Sequence, residues 1–403
     1  MTERSRSTTR IAAGARGADL RVTLASAWHR RLGVPGIAMI LPDGTEVAAR
    51  GALVATLRLK TWGAVTALLL RDQERVFRSY LDQDLDFVVT GDPAETLLGI
   101  IGVMDEKSRD YHWLAAALSS SRYFWQQTTP FRRTNLGVHY SVPAPFWLSF
   151  LRNEYPIYSH YLFHDDETHE DWEAACERKL QFALEACRMQ PGARVLNVGE
   201  GWAGFLAFAG RRGMHVTGLT LNDESYQACL AKIAAESLGG TCQVVQVDFY
   251  QYEAVQPFDA ITNMGVTEHL TDYDALMAKY ASLLKPGGHV YCDFVGIVRD
   301  RHFGSIVQKY IYPGAEPVYL PKLLDAAARS NIMDVVATYD DRLSYEKTCV
   351  AWARNVEARR DMIVESFGEA KYRWIWSYLW MCVHGFRSWN VGLTGTRVVL
   401  RRR

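Results

Sequence analysis

The chain lacks any apolar run approaching the roughly 20 residues a helix needs to cross a bilayer, which argues against a spanning protein. It lacks a C-x-x-C pair: its seven cysteines, Cys176, Cys187, Cys229, Cys242, Cys292, Cys349 and Cys382, are scattered and odd in number. That pattern suits reduced thiols in a cytosol, and no metal-ligand cluster accompanies it, so no metal is expected. It lacks an excess of either charge, with Lys+Arg and Asp+Glu both 45. No global field therefore attracts nucleic acid, which is not an expected partner. The N-terminal MTERSRSTTRIAAGARGAD has no continuous apolar core of the kind a signal peptide carries, and 1–19 is expected to be a disordered arm. No repeat or low-complexity segment stands out. These absences place the chain in the cytoplasm, compatible with peripheral contact at the inner face of the membrane.

What is present is a folded globular composition, 403 residues with 48% hydrophobic and 22% charged, long enough for two or more domains. A small α+β domain is expected over 20–100. There GIAMILPDGTEVAA reads as two strands about a Pro-Asp-Gly turn, LVATLRLK (53–60) as a strand and 62–81 as a helix. Residues 101–156 read as a connecting helical region rich in aromatics, including Tyr123, Phe124 and Trp125. The informative stretch is VLNVGEGWAGF (195–205), a strand emptying through Gly199, Gly201 and Gly204 into a helix. Glycine permits the tight turn and close approach of a ligand to backbone N–H groups, although a G-x-G turn alone is weak evidence. Downstream, HVTGLTL (215–221), VVQVDFY (244–250), FDAITNMGVTEHL (258–270) and LLKPGGHVYCDFVG (283–296) alternate strand with helix. This predicts a parallel α/β sheet with ligands at the strand carboxyl ends.

The ordered set GEGWAGF, GLTLNDESYQ, VDFY, GVTEHL, LLKPGG, IYSHYLF (157–163), KYIYPG (309–314), SYEKTCVAW (344–352) and YLWMCVHGF (378–386) resembles the cyclopropane fatty acid and mycolic acid cyclopropane synthases. The likeness covers roughly 36–401. It implies a class I S-adenosylmethionine (SAM) dependent methyltransferase domain over 157–403, with a Rossmann-like sheet and a helical lid insertion near 300–321. By the same resemblance Gly199 and Gly201 flank the methionine part of SAM, Thr220 lies near the ribose, and Asp248 and Phe249 meet the adenine. Tyr158, Ser159, Asn197, Glu200, Trp202, Leu221 and Ser225 fall in the matching cofactor segments. The family's Leu-Asp-x-Gly-Cys-Gly becomes Asn197 for Asp and Glu200 for Cys, and Glu200 is expected to restore a carboxylate near the SAM ammonium.

These enzymes generally hold a bicarbonate ion as base. The resemblance carries over Glu268 and Tyr345, whereas His160 stands for the family's Cys, Asp293 for its His and Val295 for a nearby Ile. Asp in place of His adds negative charge where bicarbonate would sit, which opposes its binding. A carboxylate desolvated in an apolar pocket gains basicity, so Asp293 or Glu268, or a His160–Asp293 pair, is a candidate base; the alternatives are Asp293 as a loop cap and His160 as a satisfied core histidine. Methylating an alkene leaves a carbocation, which aromatic faces stabilise without quenching. The aromatic stretch 372–389 is expected to pack inward while lining an acyl tunnel.

The leading expectation is C-methylation of an unsaturated acyl chain or phospholipid with a cyclopropane product. Methylation without ring closure, action on a terpene or polyketide, and a non-catalytic SAM- or lipid-binding protein are the alternatives. The acyl substrate's identity and the oligomeric state, a homo-oligomer included, are open at this level.

Overall fold

The computed structural model describes residues 36–50, 53, 55–70, 72–89, 92–108, 142–164 and 171–403, with a few positions between 22 and 29. The expected arm over 1–19 and the aromatics Tyr123, Phe124 and Trp125 lie outside the described residues. The chain divides into two compact units, Met1–His112 and Trp113–Arg403. Of the expected connecting region, the described residues 101–108 fall in the first unit and 142–156 in the second.

In the first unit β1 (Ile37–Ile40) and β2 (Glu46–Val47) flank the Pro-Asp-Gly turn, where Gly44 takes φ +84°. The strands β3 (Ala55–Leu59) and β4 (Leu85–Val89) complete a sheet of order β2-β1-β3-β4. Ile37, Met39, Leu57 and Leu59 pack beneath it with Val65 and Leu68. The single helix expected over 62–81 is two, α1 (Trp62–Leu69) and α2 (Gln73–Leu81). Asp72 causes the break: its carboxylate accepts from the Arg75 N–H at 3.1 Å and starts a new helix. Helix α3 (Pro93–Ser108) follows.

The second unit is built on seven strands. After α4 (Ala144–Phe150) and α5 (Trp172–Ala186) come β5 (Arg194–Val198), α6 (Gly204–Gly210), β6 (His215–Thr220), α7 (Asp223–Ala235), β7 (Cys242–Gln246) and β8 (Phe258–Met264). Then follow α8 (Tyr273–Leu283), β9 (Leu284–Ile297), α9 (Leu320–Ser330), β10 (Met333–Asp340), α10 (Arg342–Ala358), α11 (Arg360–Phe367), α12 (Glu369–Arg387) and β11 (Leu393–Arg402). The sheet order is β10-β11-β9-β8-β5-β6-β7. Strands β9 to β7 in that order pair in parallel, and β11 enters antiparallel between β9 and β10. Central strands such as β5 and β8 are buried almost throughout, as a sheet covered on both faces requires.

The helical spacing of Trp352, Val356, Ile363 and Phe367 spans two helices, α10 and α11, that break at Arg359. The expected lid region carries a short π-helix, Val307–Ile311, with Ile311 buried, and Val318 bridges to Gly296 on β9. In α12 every tryptophan indole is tied down. Trp374 donates to the Tyr310 carbonyl at 3.0 Å, and Trp376 and Trp380 both donate to Glu357 Oε1 at 2.7 and 3.2 Å. Glu357 therefore joins α10 to α12. Replacing it with Leu is expected to destabilise the protein by about 1–3 kcal/mol, and Glu357→Gln, which keeps an acceptor, by less. Urea unfolding of the two variants checks this.

Candidate active site

The order of strands places the site. The chain builds outward from β5 through β6 to β7, then returns to β8 on the other side of β5. Such a reversal opens a crevice at the strand carboxyl ends, where open α/β sheets take ligands. The glycine turn after β5 and the segment Gly265–Glu268 after β8 flank that crevice. They touch: a Cβ on Gly199 would come within 2.4 Å of Val266 Cγ2.

On the glycine side, Gly199 and Gly201 take φ +76° and +61°, and Ala203 adopts the left-handed conformation before α6. A Cβ on Gly201 would meet nothing closer than the Gly199 carbonyl at 4.0 Å, so this turn leaves room against bare backbone. Gly204 differs: a Cβ there would lie 2.5 Å from the Pro156 carbonyl, so its smallness serves close packing. Glu200 has partners within the protein. Its side chain is buried beneath the turn, with Oε2 accepting from Asn197 Nδ2 at 2.7 Å and Oε1 from the Leu206 N–H at 3.1 Å. Ala203 has no side-chain oxygen to cap α6, and Glu200 satisfies an exposed helix N–H in its place. Burial pushes the Glu200 carboxyl up to about 8, eased by these two donors. Asn197 also accepts from Thr262 Oγ1 at 2.7 Å, across the β5–β8 pair. An amide donates to Glu200 and accepts from Thr262 at once, which an Asp could not do. The two departures from the family pattern thus fit as a pair.

Thr220 is buried at the end of β6, its hydroxyl accepting from the Asn222 N–H at 3.3 Å, while Leu221 is 53% exposed. Ser225 is buried, its N–H bonded to Asn222 Oδ1 at 3.0 Å. Asp248 accepts from the Tyr250 N–H at 2.8 Å at the end of β7. Phe249 lies in the core against Tyr280, at 5.7 Å between ring centroids. Tyr158 stands between Trp147 and Trp352, with centroid separations of 4.9 and 5.0 Å, and Trp202 stacks on Trp147 at 6.5 Å. With Trp374, 6.3 Å from Trp147, they form an aromatic wall beside Ser159 and His160.

The catalytic candidates converge, with partners that local sequence does not reveal. Asp293 does not cap a loop; it is fully buried inside β9, opposite Arg397 of β11. Its Oδ2 lies 3.0 Å from Nζ of Lys179, which is itself fully buried on α5 and also donates to Ser159 Oγ. His160 is fully buried too, but its Nδ1 stands 4.0 Å from Asp293 Oδ1, beyond hydrogen-bond reach. The close partner is Asp341, whose Oδ2 is 3.0 Å from His160 Nε2. Arg397 grips Asp341 through both oxygens, the second bond running from Nη2 to Oδ1 at 2.8 Å. Burial works against the Asp341 carboxylate, yet the bonds from His160 and Arg397 prevail and hold it at about 2. Lys179, Asp341 and Arg397 were absent from the expected site. The signal for Lys179 was its place among Ala175, Cys176, Leu180 and Ala183 on the buried stripe of α5.

Glu268 sits in a 3-10 turn, Thr267–His269, just past β8. Its Oε1 accepts from the Val295 N–H at 2.6 Å, and its Oε2 is buried with no hydrogen-bond partner among the described residues. Burial raises this carboxyl to about 7, against the Val295 bond and with help from the nearby negative charge of Asp293. The Tyr345 ring lies 4.8 Å from the His160 ring and stacks at 4.3 Å on Phe386. Burial, then the Glu268 carboxylate, drives the Tyr345 hydroxyl well above its usual range, so it stays protonated. The site combines an apolar aromatic wall, a carboxyl poised to exchange a proton near neutrality, and balanced buried charges.

The model of the mycolic acid cyclopropane synthetase family matches residues 127–395, two thirds of the chain. The chain belongs to this family. Its members are SAM-dependent methyltransferases, and the open face of Gly201 fits that cofactor. The chain is similar to the tuberculostearic acid methyltransferase UfaA1 of Mycobacterium tuberculosis, 26% identical over 72% of this chain and 70% of the relative. It is 27% identical to the cyclopropane-fatty-acyl-phospholipid synthase of Escherichia coli over 55% of this chain and 57% of that protein, little more than half the relative's length. Among solved structures, the cyclopropane synthase MmaA2 from Mycobacterium tuberculosis superposes with TM-score 0.61 at 19% identity, over 67% of this chain and 98% of that one, and so shares the fold.

The two glycines are expected to separate by experiment. Gly201→Val places a side chain in the open cradle and abolishes SAM binding by calorimetry. Gly204→Ala drives a Cβ into the Pro156 carbonyl and lowers the melting temperature instead, because nothing there is free to move aside.

Proposed function

We propose that this protein methylates the double bond of an unsaturated fatty acyl chain or phospholipid at carbon, at the inner face of the membrane, and closes a cyclopropane ring. The observation that carries the reading is the pair of buried carboxylates whose oxygens Glu268 Oε2 and Asp293 Oδ1 lack hydrogen-bond partners among the described residues, in a fold whose Gly265 turn packs on the Tyr158–Ser159 segment. When bound, SAM supplies an electrophilic methyl group. Trp147, Tyr158 and Trp352 then present ring faces to the carbon cation left on the alkene, and exclude water that would capture it. Loss of a proton from the transferred methyl lets its C–H electron pair form the third side of the ring. The Glu268–Asp293 pair takes that proton.

Asp293 also bears on bicarbonate. Repulsion alone is not the obstacle, since Lys179 balances the Asp293 charge. The reading instead is that a fixed carboxylate, anchored by that lysine, performs the role of the diffusible anion. A second reading, a hydride shift to the other alkene carbon followed by proton loss from the transferred methyl to give a methylene product, draws on the same departure at position 293. A relative named for tuberculostearic acid keeps products without a ring in view.

Expressed in a host rich in unsaturated phospholipid, the protein is expected to yield fatty acids heavier by one CH2, with chromatography separating cyclopropane from methylene isomers. Lipids unchanged in mass, with SAM still bound, overturn the reading. Activity is expected to rise with pH as Glu268 loses its proton near 7. Glu268→Gln removes that base, lowering kcat by about 100-fold or more while SAM affinity holds. Bicarbonate depletion and resupply is expected to leave the rate unchanged; a collapse and recovery would place bicarbonate in the site.

A further inference from the structure

The proton taken from the substrate must leave the carboxylate pair, which is buried, before the next turnover. His160 supplies a buried nitrogen suited to receive it. Its Nδ1 has no hydrogen-bond partner among the described residues and faces Asp293 Oδ1, equally unpartnered, across 4.0 Å. Two acceptors facing each other in a desolvated space create a negative potential that one proton relieves. The surrounding charges balance otherwise: Lys179 answers Asp293, and Arg397 answers Asp341.

We propose that Asp341 and Arg397 are positioning residues that lock His160 with its proton on Nε2, so that the Nδ1 lone pair accepts the reaction's proton from Asp293. The arrangement rests on three contacts. Asp341, gripped by Arg397, offers His160 only acceptor oxygens, so Nε2 must be the donor. Arg397 is itself held, its guanidinium 4.1 Å from the Phe182 ring and 4.6 Å from the Tyr339 ring. Tyr345, stacked against the imidazole and backed by Phe386, limits rotation of the ring. The balance is simple. The methyl C–H bond breaks, its electrons form the new carbon–carbon bond, and the proton passes to Asp293 and, once its Oδ1 closes from 4.0 Å to hydrogen-bond reach, to His160 Nδ1. The resulting imidazolium keeps its Nε2–H bond to the Asp341 carboxylate, and no oxidant or reductant is needed.

The inference rests on the proposed function for the proton's origin, but its test does not depend on activity alone. In protein carrying nitrogen-15 histidine, the His160 signals are assigned by their loss in His160→Gln. The wild type is expected to show the Nε2–H tautomer. Asp341→Asn leaves one oxygen for the donors that Asp341 satisfies with two, since His160 Nε2 and Arg397 Nε share Oδ2, and is expected to weaken the preference for the Nε2–H tautomer. Loss of kcat by about 1000-fold or more, with SAM affinity within twofold, is expected alongside, as in the serine-protease triad when its Asp becomes Asn. An Nδ1–H tautomer in the wild type overturns the proposal. So does a folded Asp341→Asn protein that loses the tautomer preference yet keeps full turnover. Absence of lipid methylation in the wild type would instead count against the proposed function, leaving the tautomer to decide the positioning of His160.

Discussion

The second unit is organised around a buried balance of charge. Asp293 and Asp341 are taken out of water together with Lys179 and Arg397, and His160 stands between the two pairs. Removing one partner from such a pair typically costs about 3–5 kcal/mol, because the remaining charge is left buried and unanswered. The members come from α5, the segment before it, β9, the start of α10, and β11. Each of these elements must therefore reach its place for any of the charges to be tolerated. The insertion of β11 between β9 and β10 brings Arg397 level with Asp293 in register. A stability requirement and a functional arrangement coincide in the same five side chains.

A second polar ladder, Thr262 to Asn197 to Glu200 to the Leu206 N–H, fixes the turn that opens α6. It crosses from β8 to β5, the two strands that flank the crevice, and so couples the glycine turn to the sheet beneath it. Val266, tight against Gly199, ties the same turn to the segment bearing Glu268. The cradle for the cofactor and the segment bearing Glu268 are held to one another by the short, branched Val266 side chain against bare backbone, which suits a reaction whose partners must meet in line.

Local patterns were legible where the chemistry is local. The Pro-Asp-Gly hairpin, the alternation of strand and helix, the glycine turn after β5 and the position of Glu268 past β8 all follow from short segments. The helix spanning 62–81 misled because apolar periodicity runs across a break that one Asp cap enforces. Phe249 and Asp248 were assigned to adenine by resemblance; the protein partners they also have, the core for the ring and the Tyr250 N–H for the carboxylate, do not show in the local sequence. Glu200 was expected near the SAM ammonium, and only the missing cap oxygen at Ala203 shows why its carboxylate also takes the Leu206 N–H.

His160 and Asp293 could be singled out from sequence because they interrupt a recurring pattern, but their pairing could not. Nothing local distinguishes Asp341 from an ordinary residue ahead of a helix, or Arg397 from the other arginines of a basic strand. Lys179 lay on an apolar helical stripe, a hint that a charge was being buried without any sign of its partner. The alternation of strand and helix and the ligand-bearing strand ends could be read from short segments, because backbone hydrogen bonding and periodic burial act over short distances. The order of the strands, with β11 antiparallel between β9 and β10, and the partners of the buried charges could not, because they join residues as far apart as His160 and Asp341, 181 positions away.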